Sequence, residues 1–401
     1  MSASFSPHTI TLIKSTVPLL AEHGTTIIEA MYHRLFEDPQ IEALFNQANQ
    51  KNGTQIHALA GAILAYARNI DNPGVLASAI ERISQKHVGY AIHPEHYPHV
   101  ATALLGAIKQ VLGDVATSEV LEAWGEAYWF IANLLKDREA VIREGIMTKN
   151  GGWIHWRRFV ISKRIPESET ITSFMLHPED GGPVVPHQAG QYLTFRFDAA
   201  GMPGMKRNYS ISCGPNSDYY RITVKREHGT GASAFLHDQA KVGTIIECTP
   251  PVGDFFLPSV IERPIVLLSG GVGLTPMVSM MEQIAEAHPE AHPDAQVWYV
   301  HGTQNRETHA MDAHIRALVS RHKHMKATTF YTQRSEADDA EAGFITIDWL
   351  RANTPFQKAD FYLCGPRPFL RTFVRDLIGA GVPAAQVHYE FFGPMDEEMA
   401  A

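Results

Sequence analysis

The spacing of apolar residues changes twice along this chain, and one type of secondary structure cannot satisfy all three patterns. Up to about residue 147, apolar residues recur three and four positions apart, as in Ile28, Met31, Tyr32 and Leu35, which is the period of an amphipathic helix. From residue 153 the pattern alternates, as in half-buried strands. From about residue 265, short apolar strands alternate with helical stretches, which predicts a parallel sheet covered by helices.

These patterns predict a multidomain protein: an all-α domain, an antiparallel β-barrel domain, and an α/β domain with a parallel sheet. The expected domains are 1–147, 151–261 and 262–401, and Lys149-Asn150-Gly151-Gly152 forms the first linker. Three domains suit a chain of 401 residues, because one domain usually contains roughly 100–200 residues. Barrel strands are predicted at 158–165, 170–177, 191–197, 207–213, 219–227 and 243–249, and sheet strands at 265–268, 296–300, 327–331, 360–363 and 386–391.

Charge and cysteine content exclude several classes of function. The net charge is −9, so the chain gains nothing from counterion release on nucleic acid or on an anionic membrane. The three cysteines, Cys213, Cys248 and Cys364, form no CxxC pair, so zinc and iron–sulfur sites lack ligands. A sparse, odd set of cysteines is typical of a reducing compartment. The sequence also contains no run of about 18 apolar residues, so we expect a cytoplasmic protein without a membrane span and without nucleic-acid partners.

A glycine-rich segment joins the first strand of the α/β region to a helix. It reads Gly270-Gly271-Val272-Gly273-Leu274-Thr275-Pro276, and it follows a wholly apolar strand. Glycines allow a pyrophosphate to approach the backbone, and the N-terminus of a helix offers free N–H groups to it. Proline replaces the third glycine of the common fingerprint, so a tight turn without a ligand is the alternative interpretation.

Three short segments add to this signal. Arg207-Asn208-Tyr209-Ser210 and Gly190-Gln191-Tyr192 lie on predicted barrel strands, and Cys364-Gly365-Pro366 ends a sheet strand. Together with the glycine loop, they resemble the ferredoxin–NADP reductase family. The resemblance implies that Tyr209 packs on the flavin of FAD while Arg207 and Ser210 meet its ring and phosphates. It also implies that the glycine loop and Cys364 contact the nicotinamide end of the dinucleotide.

The helical region carries a second resemblance. Gln85-Lys86-His87 closes a predicted helix, Pro94-Glu95-His96-Tyr97 follows, and Arg138-Glu139-Ala140 lies on the last long helix. With Ala123-Trp124-Gly125-Glu126-Ala127-Tyr128 and the terminal Tyr389-Glu390-Phe391-Phe392-Gly393-Pro394, the chain resembles bacterial flavohaemoglobins over its whole length. The all-α domain would then be a globin that binds haem b. One departure is Arg143, where many relatives have tyrosine, so the packing at that helix end is open.

The flavohaemoglobin resemblance also implies individual roles. His87 would be the proximal iron ligand, with Tyr97 and Glu139 hydrogen-bonded behind it, while Tyr32 and Gln55 would lie on the distal side. Outside the family context, a lone histidine on a helix is more often structural than a ligand. The resemblance assigns contacts with haem, FAD or NADH to Phe45, Leu59, Lys86, Tyr192, Arg207, Asn208, Tyr209, Ser210, Gly271, Val272, Gly273, Leu274, Thr275, Pro276, Cys364, Gly365, Pro366, Glu390, Phe391, Phe392, Gly393 and Pro394.

The implied activity is that of a nitric oxide dioxygenase. NADH would reduce FAD, FAD would reduce the haem iron, and the ferrous haem would convert nitric oxide and O2 to nitrate. Lys86 could meet Glu390 between haem and flavin. The alternatives are an alkylhydroperoxide reductase or NADH oxidase, an oxygen sensor or storage globin with a maintenance reductase, and a flavin reductase with a non-haem helical domain.

The choice of nicotinamide cofactor and the remaining partners are less constrained. Arg306 follows a sheet strand and could reach the 2′-phosphate of NADPH, although a solvated loop arginine is the alternative, and we expect NADH. We also expect a monomer. Whether a lipid binds in the distal haem pocket stays open.

Overall fold

The fold is that of a computed structural model, which describes residues 5–44, 54–286 and 296–392. The chain forms two compact units, one containing the helices up to Thr148 and one containing the two sheets from Lys149 onward. In the described residues, no helix is both long and apolar enough to cross a membrane.

The first unit is helical, as the three- and four-residue spacing predicts. Proline or a capping side chain marks several helix starts; for example, the Thr117 hydroxyl accepts a hydrogen bond from the N–H of Val120. Its core includes fully buried residues such as Ile28, Met31 and Trp124. The helices described here are α1 (Pro7–Ser15), α2 (Val17–Leu35), α3 (Pro39–Glu42), α4 (Thr54–Arg68), α5 (Ala77–Gly89), α6 (Tyr97–Leu112) and α7 (Ser118–Met147).

Two packing arrangements position the functional side chains of this unit. Helix α2 packs against α4 and α6, and helix α7 packs against α5 and α6. Residues on α2 and α4 therefore meet, as do residues on α5, α6 and α7.

The second unit begins with an antiparallel sheet in the order β4-β3-β6-β1-β2-β5. Ile211, immediately after β4, pairs with Ile222 of β5, so the two edges of the sheet come together and close it into a barrel. The predicted barrel and its six strands are confirmed. The strands are β1 (Arg157–Pro166), β2 (Ile171–Pro178), β3 (Tyr192–Arg196), β4 (Lys206–Ser210), β5 (Tyr220–Lys225) and β6 (Ile245–Cys248).

A parallel sheet follows, in the order β10-β9-β8-β7-β11-β12. Strand order reverses between β7 and β11, and such a switch point is where open α/β sheets bind ligands. Helices cover this sheet as predicted. The elements are β7 (Ile265–Gly270), α8 (Leu274–Glu286), β8 (Val297–Thr303), α9 (Asp312–Arg321), β9 (Met325–Tyr331), β10 (Glu341–Ala342), α10 (Ile347–Asn353), β11 (Asp360–Cys364), α11 (Arg367–Gly379) and β12 (Val387–Glu390).

Candidate active site

Three predicted residues of the helical unit meet in one hydrogen-bonded group. Nδ1 of His87, near the end of α5, lies 2.8 Å from Oε1 of Glu139 on α7. The Tyr97 hydroxyl at the start of α6 donates to the same oxygen at 2.6 Å and lies 3.0 Å from His87 Nδ1. The Glu139 side chain is fully buried, whereas that of His87 is 30% exposed. The packing of α7 on α5 and α6 thus brings together residues 52 positions apart.

This arrangement determines which imidazole nitrogen of His87 is available. Because Nδ1 lies against a buried carboxylate, it carries the proton and donates it. No hydrogen-bond partner of Nε2 exists among residues 5–44, 54–286 and 296–392. An imidazole with a carboxylate behind Nδ1 and a lone pair on Nε2 is the usual form of a metal-ligating histidine.

The hydroxyl of Tyr97 is held in its protonated state. Burial and the hydrogen bond to Glu139 both raise its pKa. The Tyr128 hydroxyl donates to the Tyr97 carbonyl at 2.7 Å, which anchors the first turn of α6. Tyr97 therefore acts as a fixed donor that orients Glu139 toward His87.

Tyr32 and Gln55 form a second buried polar pair, on α2 and α4. Tyr32 is 6% exposed and its ring stacks on Phe36, with centroids 5.5 Å apart. Burial raises the pKa of Tyr32, and a hydrogen bond with Gln55 partly offsets that rise. Oε1 of Gln55 is buried and has no partner in the described residues, so the amide N–H of Gln55 is the group that bonds the phenol oxygen.

The residues around Tyr32 and Gln55 have features that fit an apolar group with a polar ligand. A buried acceptor without a partner, such as Gln55 Oε1, indicates a site for a polar molecule. Leu59 and Ile63 on the same helix are only half-buried, although they pack against the core cluster. Phe45, the predicted haem-packing residue, lies outside the described residues. Lys86 is exposed on α5.

The predicted flavin segment lies on strand β4 of the barrel. Arg207 and Tyr209 share one face of the strand, and Asn208 and Ser210 share the other, because side chains alternate. The Tyr209 ring centroid lies 5.7 Å from that of Phe195. Burial raises the pKa of Tyr209, and the nearby positive charge of Arg207 counteracts this rise. A neutral phenol beside a cation could hold a flavin ring and its phosphates.

Tyr192 is placed at the start of β3 by backbone pairing. Its N–H and C=O bond to Val252 at 2.9 and 3.0 Å. Gly253 follows with a φ of +122°, and a Cβ on it would lie 3.1 Å from the Tyr192 ring. Glycine at position 253 therefore avoids a close contact with the aromatic ring of Tyr192.

The glycine loop and the Cys364-Gly365-Pro366 segment meet at the switch point of the parallel sheet. Gly271–Gly273 forms a single turn after β7, and Cys364 ends the neighbouring strand β11. A Cβ on Gly273 would collide with the Cys364 carbonyl and lie 2.7 Å from the Gly365 nitrogen. Gly271, by contrast, has a φ of +55° and open space around it. Gly273 thus serves close packing, while Gly271 leaves the backbone accessible.

The start of helix α8 completes this loop. Val272 is half-buried, and Leu274, Thr275 and Pro276 are buried in the first turn. The Thr275 hydroxyl donates to the Val272 carbonyl at 3.2 Å. The helix N-terminus therefore stands at the switch point, where it can interact favourably with an anion.

The alanine variant of Gly273 tests this packing. Gly273→Ala should lower the free energy of unfolding of the second unit by about 1–3 kcal/mol, because backbone atoms cannot move aside as side chains do. Urea denaturation followed by circular dichroism measures this effect.

Gly379→Ala is the matched control. Gly379 ends helix α11 and has nothing within 4 Å of its missing Cβ, so alanine should be neutral or slightly stabilising there. Equal denaturation midpoints for Gly273→Ala and the parent chain would contradict the close-packing argument.

Cys364 and Glu390 are paired positions on β11 and β12. Burial raises the pKa of the Cys364 thiol, and the Glu390 carboxylate raises it further. The thiol is therefore neutral at physiological pH. The Arg367 guanidinium lies 5.0 Å from the centroid of the Phe391 ring, and Phe392 is exposed. Gly393 and Pro394 lie outside the described residues.

Two charged contacts were not foreseen from the sequence. Nε of Arg306 lies 3.6 Å from Oδ1 of Asp338, so the candidate 2′-phosphate ligand already faces a carboxylate. Arg143 lies beside Glu139 in the helical unit. The only sequence signal for the second contact is the spacing of four residues on one helix, which places two side chains on one face.

A helical unit with a metal-competent histidine, joined to a barrel and a parallel sheet with a glycine loop at its switch point, defines a class of multidomain oxidoreductase. Comparisons with known proteins agree. Residues 29–135 match the globin family model, and residues 267–375 match the oxidoreductase NAD-binding domain.

Relatives extend this agreement over the whole chain. A flavohemoprotein of Xylella fastidiosa is 98% identical over 401 residues, with full coverage of both chains. One from Rhodopirellula baltica is 42% identical and covers 98% of this chain and 99% of its own. A crystal structure of flavohemoglobin from Malassezia yamatoensis, with bound FAD and heme, has a TM-score of 0.85 at 25% identity, covering 98% of this chain and 100% of that one.

The chain therefore belongs to the flavohemoprotein family. The predicted resemblance, the fold class and the flavohaem oxidoreductase class are confirmed.

Proposed function

We propose that the chain is a nitric oxide dioxygenase that takes its electrons from NADH. The observation that carries this proposal is the His87–Glu139–Tyr97 group, because a carboxylate on the imidazole favours oxygen activation over oxygen storage. A relative supports it: the flavohem-like FAD/NAD binding domain of a nitric oxide dioxygenase from Vibrio cholerae is 33% identical and covers 61% of this chain and 100% of its own, with a TM-score of 0.53.

In the helical unit, the residues fit haem b. Nε2 of His87 would ligate the iron, and Glu139 and Tyr97 would orient the imidazole. Tyr32 and Gln55 would face the gaseous ligands, Leu59 would line their pocket, and Phe45 would pack on the ring. The half-buried apolar residues of α4 support this placement.

In the second unit, Tyr192 and the β4 residues Arg207, Asn208, Tyr209 and Ser210 would hold FAD. The Gly271–Pro276 loop and Cys364-Gly365-Pro366 would hold NADH, with the terminal residues Glu390–Pro394 beside the flavin. When bound, the flavin accepts hydride and supplies single electrons, and the haem supplies the oxygen-binding iron. NADH is favoured over NADPH because Arg306 already faces Asp338.

The organisation that accompanies this function is also a proposal. It comprises a globin domain at 1–147, an FAD-binding barrel at 151–261 and an NAD-binding domain at 262–401. We further propose a cytoplasmic monomer. The distal pocket, with its apolar residues, could also admit a lipid.

The test is anaerobic and aerobic turnover of the purified protein with NADH and nitric oxide. Conversion of nitric oxide and O2 to nitrate consumes one electron, so two nitrate ions should form per NADH, and NADH consumption should stop when either gas is withheld. Nitrate and NADH are measured in the same samples.

The same experiment separates the rival functions. NADH consumption with O2 alone, at the rate seen with nitric oxide, would favour an oxidase. Turnover only with organic hydroperoxides would favour a peroxide reductase. No sustained NADH consumption with any of these would favour a sensor or storage globin.

A further inference from the structure

Arg143 contacts the carboxylate that faces the candidate haem ligand. On helix α7, its Nη1 and Nη2 atoms lie 3.5 and 3.4 Å from Oε2 of Glu139. The Arg143 side chain is 17% exposed and that of Glu139 is fully buried, so solvent screens this ion pair little.

The two oxygens of Glu139 have separate duties. Oε1 accepts the hydrogen bonds from His87 and Tyr97, and Oε2 faces Arg143. The positive charge of Arg143 beside Oε2 draws electron density of the carboxylate away from Oε1. The hydrogen bond from His87 Nδ1 to Oε1 is then less polarised than it would be against an unpaired carboxylate.

Arg143 also holds the chain segment that follows His87. Its Nη2 donates to the Ile92 carbonyl, and the Ile92 N–H donates to the His87 carbonyl at 2.9 Å. The guanidinium therefore connects α7 to the turn after α5. Among the described residues, it is the one guanidinium or ammonium group that forms an ion pair with Glu139.

We infer that Arg143 is a positioning residue that sets the reduction potential of the haem iron through Glu139. The inference rests on the proposed ligation of haem by His87. By weakening the pull of Glu139 on the His87 proton, Arg143 limits the anionic character of the imidazole. A less anionic ligand stabilises ferric iron less, so the haem is reduced more readily by the flavin.

The test compares Arg143→Gln with Arg143→Lys in the full-length, haem-loaded protein. Arg143→Gln removes the charge and should raise the ferric-to-ferrous ratio at a fixed potential about tenfold, which is a fall of 59 mV for one electron. It should also raise the iron–histidine stretching frequency in resonance Raman spectra of the ferrous protein. Arg143→Lys retains the charge and should restore both values toward those of the parent.

Arg138→Gln is the matched control. Arg138 lies on the same helix and pairs with Glu81 at 2.5 Å, so its removal takes an equal charge from α7 without touching Glu139. It should leave the iron–histidine frequency unchanged. In a Glu139→Gln background, Arg143→Gln should change neither the potential nor the frequency further, because the route through Glu139 is already gone.

Two results would overturn the inference. One is that Arg143→Gln binds a normal amount of haem but has the parent's reduction potential and iron–histidine stretching frequency. The normal haem content would show that the haem site itself is intact. The other is an equal shift in Arg138→Gln, which would mean that general charge matters and not Glu139. If Arg143→Gln folds poorly, Arg143→Tyr supplies the same neutral comparison. Failure of every variant, and of the parent, to bind haem would instead reject the proposed ligation.

Discussion

Replacing His87 with alanine is expected to leave the purified chain without stably bound haem while flavin stays bound. The Nε2 atom of His87 carries the lone pair that can ligate a metal. Glu139 and Tyr97 cannot replace it as ligands, because their oxygens are already hydrogen-bonded to each other. Removing the only proposed protein ligand eliminates the iron–nitrogen bond. The measurement is the haem-to-flavin absorbance ratio after purification with haem supplied in excess, and it should fall almost to zero. Added imidazole should restore part of the haem absorption, because it occupies the space left by the side chain.

His99→Ala provides the control for this experiment. His99 is exposed on α6, close in sequence to Tyr97, so its loss removes an imidazole without affecting the hydrogen-bonded group. Its haem content should equal that of the parent. Full haem occupancy in His87→Ala without imidazole would mean that another residue ligates the iron.

Replacing Tyr32 with phenylalanine is expected to accelerate release of dioxygen by the ferrous protein by roughly ten- to a hundredfold. A hydrogen bond to a charged acceptor contributes about 1.5–3 kcal/mol, and each 1.4 kcal/mol is a factor of about ten in rate. The Gln55 amide N–H bonds the Tyr32 oxygen, so the phenol does not use its proton toward Gln55. Because burial raises the pKa of Tyr32, the phenol keeps that proton at physiological pH. Stopped-flow mixing of the oxygenated protein with a dioxygen scavenger measures the rate.

Tyr66→Phe is the matched control, since it deletes the same atom from another buried tyrosine of the helical unit. The Tyr66 hydroxyl donates to the Ala127 carbonyl at 2.8 Å and so has a fixed internal partner. Tyr66→Phe should therefore change the release rate little. If Tyr32→Phe also leaves the rate unchanged, Tyr32 is a core aromatic and Gln55 is the remaining candidate donor.

The types and order of the secondary-structure elements could be predicted from the sequence, because hydrophobic period and turn residues act over a few neighbouring positions. The six barrel strands and the alternating strands and helices after residue 265 are examples. One local detail was not predicted: between β5 and β6 the chain forms a single helical turn, Ala232–Ala234, followed by a π-helical segment, Phe235–Gln239. A π-helix has no periodic signature over five residues.

For the candidate site, the sequence and its family resemblance determined which residues to examine, and the tertiary structure decided how they are connected. His87, Tyr97 and Glu139 were named from motifs, but their shared oxygen depends on how α5, α6 and α7 pack. The same holds for the contacts of Arg143 and Arg306, whose partners were not foreseen. The physical reason is the distance along the chain over which each interaction acts. Helix and strand periods are encoded by neighbours in the chain, whereas a contact across 52 positions exists only after the elements between them have packed.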